Sequence, residues 1–383
     1  MKVIIIGPAY PLRGGLASFD QRLCKAFLEA GHNASIYSFS LQYPGFLFPG
    51  TTQYSSDPAP ADLEIHTAIN SLNPVNWLLV GNKLKKEAPD LIVVRYWLPF
   101  MGPALGTILG RVRKNKITKI ISITDNVLPH EKRFGDRAFT KYFLKKCDAF
   151  ITMSDSVMND LRLLEKTKPA KRVMHPLYDN FGEIISKNEA RKFLREKLQV
   201  NIEQDEKVIL FFGFIRKYKG LDILLKAMAA SSIKKSHIRL MVAGEFYEDS
   251  AVYRQLIGEL NIGGQLILKT DFIPDTQVQY YLCAADAVIQ PYRHATQSGV
   301  TPLAYHFEKP MIVSNVGSFT EHIQNEKTGL VSEPEPAALA RAILRFYELG
   351  EEYFIPHLRE EKKKYSWKTL VNTILSLSHD IQK

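Results

Sequence analysis

Short apolar runs that alternate with amphipathic segments constrain this sequence more than any other feature. The first run, Lys2–Ile6, is followed by apolar residues at helical spacing until Gly31, which is typical of a strand followed by a helix. Further runs of the same character begin at Leu91, Lys119 and Asp148. Strands that are apolar on both faces and separated by helices indicate a parallel sheet covered on both sides.

The same pattern starts again in the second half of the chain. A charged helix is predicted over 188–198, and the apolar runs that follow it are "KVILFFG", "IRLMVAG", "QLILKT", "DAVIQPY", "PMIVSN" and "GLVSE". A chain of 383 residues is long enough for two domains with separate cores. We predict an α/β protein with two Rossmann-like, doubly wound parallel sheets, one in residues 1–181 and one in residues 182–365. A last helix, within 366–383, is expected to pack back on the first domain.

Composition limits the class of partner and the compartment. The net charge is +10, and most of it lies in residues 1–180, where 24 Lys and Arg face 15 Asp and Glu. This excess suits an anionic ligand or an anionic membrane surface, whereas no zinc-finger, RNP-type or basic-zipper pattern points to nucleic acid. No segment is apolar over the length that a signal peptide or a membrane span needs, so we expect a cytoplasmic protein. The three cysteines lie far apart without metal spacing and are interpreted as free thiols.

A loop with two adjacent glycines follows the first predicted strand. The segment "GPAYPLRGGLASF" contains Gly14 and Gly15 and leads into the first helix. Glycines permit positive φ and a close approach of backbone N–H groups to an anion, and the helix amino end adds partial positive charge. The loop lacks the spacing of a dinucleotide site or a P-loop, so a tight turn without a ligand is the alternative.

A second loop places cations at the end of a core strand. In "FFGFIRKYKGLDILLKA" the strand ends at Gly213, Arg216 and Lys219 follow, and Gly220 opens an amphipathic helix. Ligands of doubly wound sheets bind beyond the carboxyl ends of the strands, and the space between two such domains is the default site. Arg forms bidentate hydrogen bonds and Lys acts as a point charge, so the pair suits a diphosphate. An ordinary surface loop is the alternative.

These two segments and five others resemble motifs of one family and occur in the same order along the chain. The others are "SLQYPGFLFPG" and "DNVLPHE" in the first half and "MVAGEFYEDSAVYRQL", "ILKTDFIPDTQVQYYLCAADAVIQPY" and "NVGSFTEHIQNEKTGLVSEPEPAALARAI" in the second. The chain is similar to the family 4 retaining glycosyltransferases of the GT-B fold, the glycosyl transferases group 1. The resemblance implies transfer of a sugar from a nucleotide diphosphate sugar with retention at the anomeric carbon. It also implies an acceptor-side first domain, a donor-binding second domain, and neither a metal nor another cofactor; the chain has no DxD sequence.

The resemblance also implies roles for particular residues. Lys219 would neutralise the departing diphosphate, with Arg216 assisting, because charge stabilisation at the departing oxygen is the main catalytic demand. The family's arginine usually stands directly after the first glycine, where this chain has Phe214. The donor-binding set implied by the resemblance consists of Gly14, Gly15, Gly213, Glu245, Phe272, Ile273, Gln297, Ser298, Gly299, Val300, Thr301 and Glu321. For Glu245 the alternative is an exposed loop acid.

Two residues are candidates for handling the acceptor hydroxyl. Where the family often has a histidine at a strand end, this chain has Asp125, and the nearest histidine is His130. An imidazole or a carboxylate could orient the acceptor or take its proton. Both residues could equally be structural.

The segment "QPYRHATQSGVTPL" departs from the family pattern. The family usually carries two glutamates here, and this chain has neither: the first would fall near Thr296 or Gln297 and the second near Ala304. Gln297, Ser298 and Thr301 remain as neutral hydrogen-bonding groups, together with backbone N–H groups around Gly299 that we expect to be available for a phosphate.

An aromatic and basic region of the first domain suggests a lipid-facing acceptor surface. The aromatic residues are Tyr43, Phe46, Phe48 and Trp77, and the basic ones are Lys83, Lys85 and Lys86. Such a combination suits the membrane interface, while core packing is the rival explanation for the aromatics.

The functional prediction is a metal-independent, retaining hexosyltransferase of envelope or polysaccharide synthesis, cytoplasmic and peripheral to the membrane. Its partners would be a nucleotide diphosphate sugar and a saccharide or lipid-linked acceptor. A nonhydrolysing sugar-nucleotide epimerase is one alternative, and a catalytically inactive sugar-nucleotide-binding scaffold is another.

Overall fold

The computed structural model describes residues 1–45, 52–55, 57–128, 135–294, 298–317 and 319–381. The chain divides into two compact units, Met1–Pro176 with Ser366–Lys383, and Leu177–Tyr365. Each unit is built on one parallel sheet, of seven and six strands respectively. The predicted fold class, two Rossmann-like α/β domains, is therefore confirmed.

The sheet of the first unit has the strand order β3-β2-β1-β4-β5-β6-β7. Its strands are β1 (Lys2–Ile6), β2 (Asn33–Leu41), β3 (Ile65–Asn70), β4 (Leu91–Tyr96), β5 (Lys119–Thr124), β6 (Ala149–Thr152) and β7 (Ala170–Arg172). Its helices are α1 (Gly15–Glu29), α2 (Pro74–Glu87), α3 (Gly102–Val112), α4 (Asp136–Leu144), α5 (Asp155–Leu164) and, at the end of the chain, α15 (Trp367–Asp380). The central strand β4 is buried along its whole length, and β5 is buried from Ile120 onward, as expected for a sheet with helices on both faces.

The sheet of the second unit has the strand order β10-β9-β8-β11-β12-β13. Its strands are β8 (Lys207–Phe212), β9 (Ile238–Ala243), β10 (Leu266–Lys269), β11 (Ala287–Gln290), β12 (Met311–Ser314) and β13 (Gly329–Ser332). Its helices are α6 (Lys187–Leu198), α7 (Leu221–Met228), α8 (Ser231–Lys235), α9 (Ala251–Leu260), α10 (Val278–Ala284), α11 (Val300–His306), α12 (Phe319–His322), α13 (Pro336–Leu349) and α14 (Glu351–Glu361). The order changes direction at β8 and β11, which places the carboxyl ends of these strands at a topological switch point.

The division between the units falls slightly before the predicted boundary at 181. The N–H of Leu177 donates to the carbonyl of Tyr365 at 3.2 Å, and the rings of Tyr178 and Phe181 contact each other at 5.3 Å. These contacts hold the segment after Pro176 in the second unit.

The last helix, α15, belongs to the first unit and contacts α1, β5 and β6. Its first residue, Trp367, packs on Phe19 with ring centroids 4.9 Å apart, and the guanidinium of Arg22 lies 5.2 Å from the Trp367 ring. The chain thus returns to the first unit through an aromatic contact with α1.

None of the helices that the structure describes combines the length and the apolar character needed to cross a membrane.

Candidate functional site

The segment after β8 turns sharply at two glycines. Gly213 has φ +92° and Gly220 has φ +70°, a region that favours glycine. A Cβ added at Gly220 would lie 2.0 Å from the carbonyl oxygen of Pro291. Side chains are therefore excluded at this point, and the short turn between the glycines brings Lys219 back towards the end of β8.

Lys219 is buried, with 8% of its surface exposed. Its ammonium would lie 3.4 Å from a Cβ added at Gly213 and lies 5.6 Å from the ring centroid of Tyr292. Within the described residues it forms no ion pair with a carboxylate. Burial, with a smaller contribution from the nearby charge of Arg216, lowers the pKa of Lys219 to about 7. An anion placed here would restore the full charge of this amine.

Arg216 differs from Lys219 in being exposed. Its guanidinium lies 5.1 Å from the ring centroid of Tyr247, within the range of a cation–π contact. Phe214, at the position where the family has arginine, packs against Tyr247 at 4.1 Å and lies 6.3 Å from Phe272. Three half-buried aromatic rings thus follow the ends of β8, β9 and β10, and only Phe272 of the three was predicted as a site residue.

Glu245 follows β9 and is 5% exposed. Its carbonyl accepts the N–H of Ile215 at 2.8 Å, so the backbone at the end of β9 joins the segment after β8. The alternative in which Glu245 is an exposed loop acid is wrong, because this residue is buried beside the site segment. Ile273, after β10, is buried as well.

The turn between β11 and α11 is held by Gln290, a residue that the sequence interpretation did not single out. The hydroxyl of Ser298 donates to Oε1 of Gln290 at 2.6 Å, and Nε2 of Gln290 donates to Oγ1 of Thr301 at 3.3 Å. Gln290 and Thr301 are both buried. The only sequence signal was an amide side chain at the end of an otherwise apolar strand.

Two of the backbone N–H groups beside Gly299, those of Val300 and Thr301, are engaged locally and are not open to a phosphate. The N–H of Val300 donates to Oγ of Ser298 at 3.3 Å, and the N–H of Thr301 donates to the carbonyl of Ser298 at 3.3 Å. Gly299 itself has a helical φ of −65°. These two N–H groups therefore already have acceptors on Ser298. The predicted donor residue Gln297 lies outside the described residues.

Glu321 lies on the four-residue helix α12 and is exposed. The preceding Gly317 has φ +54°. The structure therefore places this predicted donor residue at the surface of the second unit, and its role stays a prediction.

In the first unit, Gly14 has φ +99° and precedes the first residue of α1, Gly15. The carbonyl of Gly14 accepts the N–H of Ser18 at 3.1 Å. This conformation suits glycine and fits both the predicted anion-binding loop and its alternative, a tight turn.

Asp125 is held in a buried ion pair. Its two oxygens accept from Nε and Nη2 of Arg95 at 2.5 and 2.8 Å, and the guanidinium of Arg95 lies 3.9 Å from the ring centroid of Phe19. Burial raises the pKa of Asp125, and Arg95 opposes this shift. The structural alternative for Asp125 fits these contacts, and its catalytic role stays a prediction. The other candidate, His130, lies outside the described residues.

A second carboxyl group faces the same arginine. Asp20 of α1 is fully buried, and its Oδ1 lies 3.8 Å from Nη1 of Arg95. Neither of its oxygens has a hydrogen-bond partner within the part of the chain that the structure describes. Burial raises the pKa of Asp20 well above its usual value, although Arg95 acts in the opposite direction. The sequence contained two signs of this cluster. Asp20 lies on the apolar side of the predicted first helix, and Arg95 lies in a predicted buried strand.

The predicted lipid-facing aromatics are packed inward where the structure describes them. Nε1 of Trp77 donates to the carbonyl of Asn70 at 2.7 Å, and the hydroxyl of Tyr43 accepts from Nε1 of Trp97 at 2.6 Å. Both Trp77 and Tyr43 pack against the core of the first unit. The core-packing alternative fits the contacts of these two residues, and their interfacial role stays a prediction; Phe46 and Phe48 lie outside the described residues.

Similarity to known proteins agrees with this architecture. Residues 192–366 match the family model of glycosyl transferases group 1. The whole chain is similar to the uncharacterized glycosyltransferase MJ1607 of Methanocaldococcus jannaschii, with 26% identity over 98% of this chain and 97% of that protein. It is also similar to the lipopolysaccharide 1,2-N-acetylglucosaminetransferase of Salmonella typhimurium, with 24% identity over 62% of this chain and 76% of that enzyme.

Among solved structures, Anabaena Alr3699/HepE in complex with UDP-glucose matches with a TM-score of 0.71 at 14% identity, over 98% of each chain. The protein thus has the GT-B fold. Over residues 192–366 its sequence is similar to the glycosyl transferases group 1 family. The resemblance noted in the sequence is confirmed at the level of the fold and of the glycosyltransferase class.

Proposed function

We propose that this protein is a retaining glycosyltransferase that moves a sugar from a nucleotide diphosphate sugar to a saccharide or lipid-linked acceptor. The observation that carries the proposal is the buried Lys219 at the end of β8, which has no carboxylate partner within the described residues. A buried amine with a depressed pKa is suited to a ligand that brings negative charge into the site. A diphosphate meets this requirement.

The charge of Lys219 would act on the departing group. In the transfer, the bond between the anomeric carbon and the diphosphate oxygen breaks, and the acceptor oxygen forms the new bond on the same face of the sugar. The proton of the acceptor hydroxyl is given up, and the nucleoside diphosphate leaves with the electron pair of the broken bond. Lys219, with the exposed Arg216 nearby, stabilises the charge that develops on the leaving oxygen. We propose that no metal is required, since these cations supply the positive charge.

The donor and acceptor classes are supported by relatives. Alr3699/HepE binds UDP-glucose in its solved complex, which supports a nucleotide diphosphate sugar as donor. The Salmonella relative is named for lipopolysaccharide synthesis, which supports an acceptor of the envelope or polysaccharide type. The three buried, unpaired cysteines suit a reducing compartment, and we propose that the enzyme works in the cytoplasm.

The turn held by Gln290 would contact the donor without a carboxylate. In place of the family's two glutamates, an amide and the hydroxyls of Ser298 and Thr301 form a neutral network. Neutral groups of this kind can exchange hydrogen bonds with ribose hydroxyls. We propose that this network replaces the missing acids in donor binding.

A thermal-shift screen of nucleotide diphosphate sugars tests donor binding first. A ligand at about 100 times its dissociation constant adds roughly 2.7 kcal/mol of stability. Product analysis then separates the alternatives: nucleoside diphosphate released only with acceptor supports transfer, whereas a new sugar-nucleotide isomer identifies an epimerase. Donor binding without turnover on any acceptor would identify an inactive scaffold.

A further inference from the structure

Helix α2 exposes large apolar side chains on its solvent side. Val75 and Leu79 are each 64% exposed, Leu78 is 42% exposed, and Leu72, just before the helix, is 47% exposed. We call these four residues the α2 stripe. Single exposed apolar residues are common on protein surfaces, but a contiguous group marks an interaction site.

The opposite side of α2 explains why the stripe cannot turn inward. Val80 and Leu84 are buried, and α2 contacts β3 and α3. A Cβ added at Gly81 would lie 2.8 Å from Cβ of Arg111 on α3, so the two helices approach closely there. The helix thus has one apolar side in the core and a second one in solvent.

Lysines continue the stripe towards the carboxyl end of the helix. Lys83 and Lys86 follow Leu79 by four and seven residues, so they lie on the same side of the helix. Both are exposed. The acidic residue of this helix, Glu87, is held by the Lys2 ammonium at 3.3 Å and by the Tyr37 hydroxyl.

A basic turn lies beside this end of α2. The 3₁₀ turn Arg113–Asn115 contacts the helix, and Lys114 and Lys116 are exposed. Ile117 directly after them is 59% exposed. The surface therefore combines exposed apolar side chains with positive charge, and its charge is complementary to that of phosphate headgroups.

We propose that the α2 stripe and the adjoining lysines dock the first unit on an anionic lipid bilayer. Apolar side chains at the boundary between headgroups and acyl chains, together with lysines at the level of the phosphates, are the requirements for interfacial binding. The helix has 14 residues and lies in the interface without crossing it. This inference goes beyond the proposed function, because it rests on the exposure and charge of one helix and not on any donor or acceptor.

Flotation of the full chain with vesicles tests the proposal. Vesicles of phosphatidylcholine alone are compared with vesicles that also contain phosphatidylglycerol. We expect the parent protein to float with the anionic vesicles and the double variant Val75→Gln, Leu79→Gln to bind about tenfold more weakly. Changing Lys83, Lys86, Lys114 and Lys116 together to serine should remove the preference for anionic lipid and the sensitivity to salt.

Matched controls come from other helices of the same chain. Leu163 of α5 and Val252 of α9 are exposed to the same degree as the stripe residues, and Leu163→Gln with Val252→Gln should bind vesicles like the parent. Thermal melting checks that every variant is folded. The proposal is overturned if the parent does not float, or if the α2 variant floats like the parent. It is also overturned if the α2 substitutions only convert a dimer to a monomer, since a second copy would then cover the stripe.

Discussion

The ammonium of Lys219 lies 5.6 Å from the ring centroid of Tyr292, and both side chains are buried beyond the ends of the neighbouring strands β8 and β11. Burial lowers the pKa of Lys219 to about 7 and raises that of Tyr292. Burial thus favours the neutral form of both groups. We therefore expect a bound ligand to supply the negative charge that stabilises the protonated form of Lys219.

Replacing Lys219 by methionine is expected to stabilise the protein. Because the folded-state pKa of about 7 lies below the ordinary lysine value of 10.5, the unfolded chain binds more protons between these two pH values. The free energy of unfolding of the parent therefore rises with pH across this window, by an amount on the order of a few kcal/mol. Lys219→Met should remove this slope and raise the melting temperature most at and below pH 7. Melting curves of both proteins from pH 6 to pH 10 measure this difference in pH dependence.

The exposed neighbour Lys217 provides the control, and Lys217→Met should melt like the parent at each pH. A parent with no rise in stability over this window, or a Lys219→Met variant that is less stable at pH 6, would contradict the burial of an amine with a depressed pKa.

Binding of a nucleoside diphosphate is expected to take up a proton. The diphosphate would favour charged Lys219 and raise its pKa above 7, so affinity should fall as pH rises above 7, approaching about tenfold per pH unit. Calorimetry in buffers with different ionisation enthalpies measures the number of protons taken up on binding. Proton uptake near pH 8 that persists in Lys219→Met would show that another group is responsible.

Neutralising Asp20 should stabilise the protein at neutral pH. The pKa of this buried acid is raised in the folded state, so its favourable contribution is present below the unfolded value near 3.8 and is lost as the pH rises through the folded value. Asp20→Asn should therefore raise the melting temperature at pH 7, and the two proteins should converge near pH 4. Glu352→Gln, at an exposed position on α14, is the control and should have little effect. A lower melting temperature for Asp20→Asn at pH 7 would show that Asp20 acts as a needed partner of Arg95.

Removing the amide of Gln290 should weaken donor binding. In Gln290→Met the hydroxyls of Ser298 and Thr301 lose the partner that orients them, and a hydrogen bond of this kind is worth about 1 kcal/mol. Losing both should reduce affinity for a nucleotide diphosphate sugar by roughly tenfold with a smaller effect on maximal rate. The exposed Gln255 of α9 gives the control Gln255→Met. Unchanged affinity in Gln290→Met would exclude the turn from the donor site.

The sequence predicted the strands that consist of continuous apolar residues, since burial on both faces leaves a clear pattern. It predicted helix α6 within one residue and α15 over nearly its full length. Helix α5 begins at a local cap, where the hydroxyl of Ser154 accepts the N–H of Val157 at 3.3 Å. Local patterns of this kind are determined by residues close in sequence.

Strand β2 was not predicted because serines interrupt its apolar residues. Ser38 is fully buried, and its hydroxyl bonds the backbone N–H and carbonyl of Ala9 at 2.9 and 3.1 Å. The partners of Ser38, Gln290 and Arg95 lie outside the strands that carry these residues. A pattern in one segment cannot reveal such pairings, which depend on how the sheet brings separate segments together.

Two measurements of sugar transfer test the central proposal most directly: the stereochemistry of the product and the dependence of the rate on Lys219. Once the screen has identified a donor, the product formed with an acceptor is analysed by proton NMR of the anomeric centre. We predict that the product keeps the anomeric configuration of the donor, and that Lys219→Ala lowers the rate by at least about a hundredfold while Lys217→Ala does not. A product of inverted configuration, or Lys219→Ala turnover equal to that of the parent, would contradict the account.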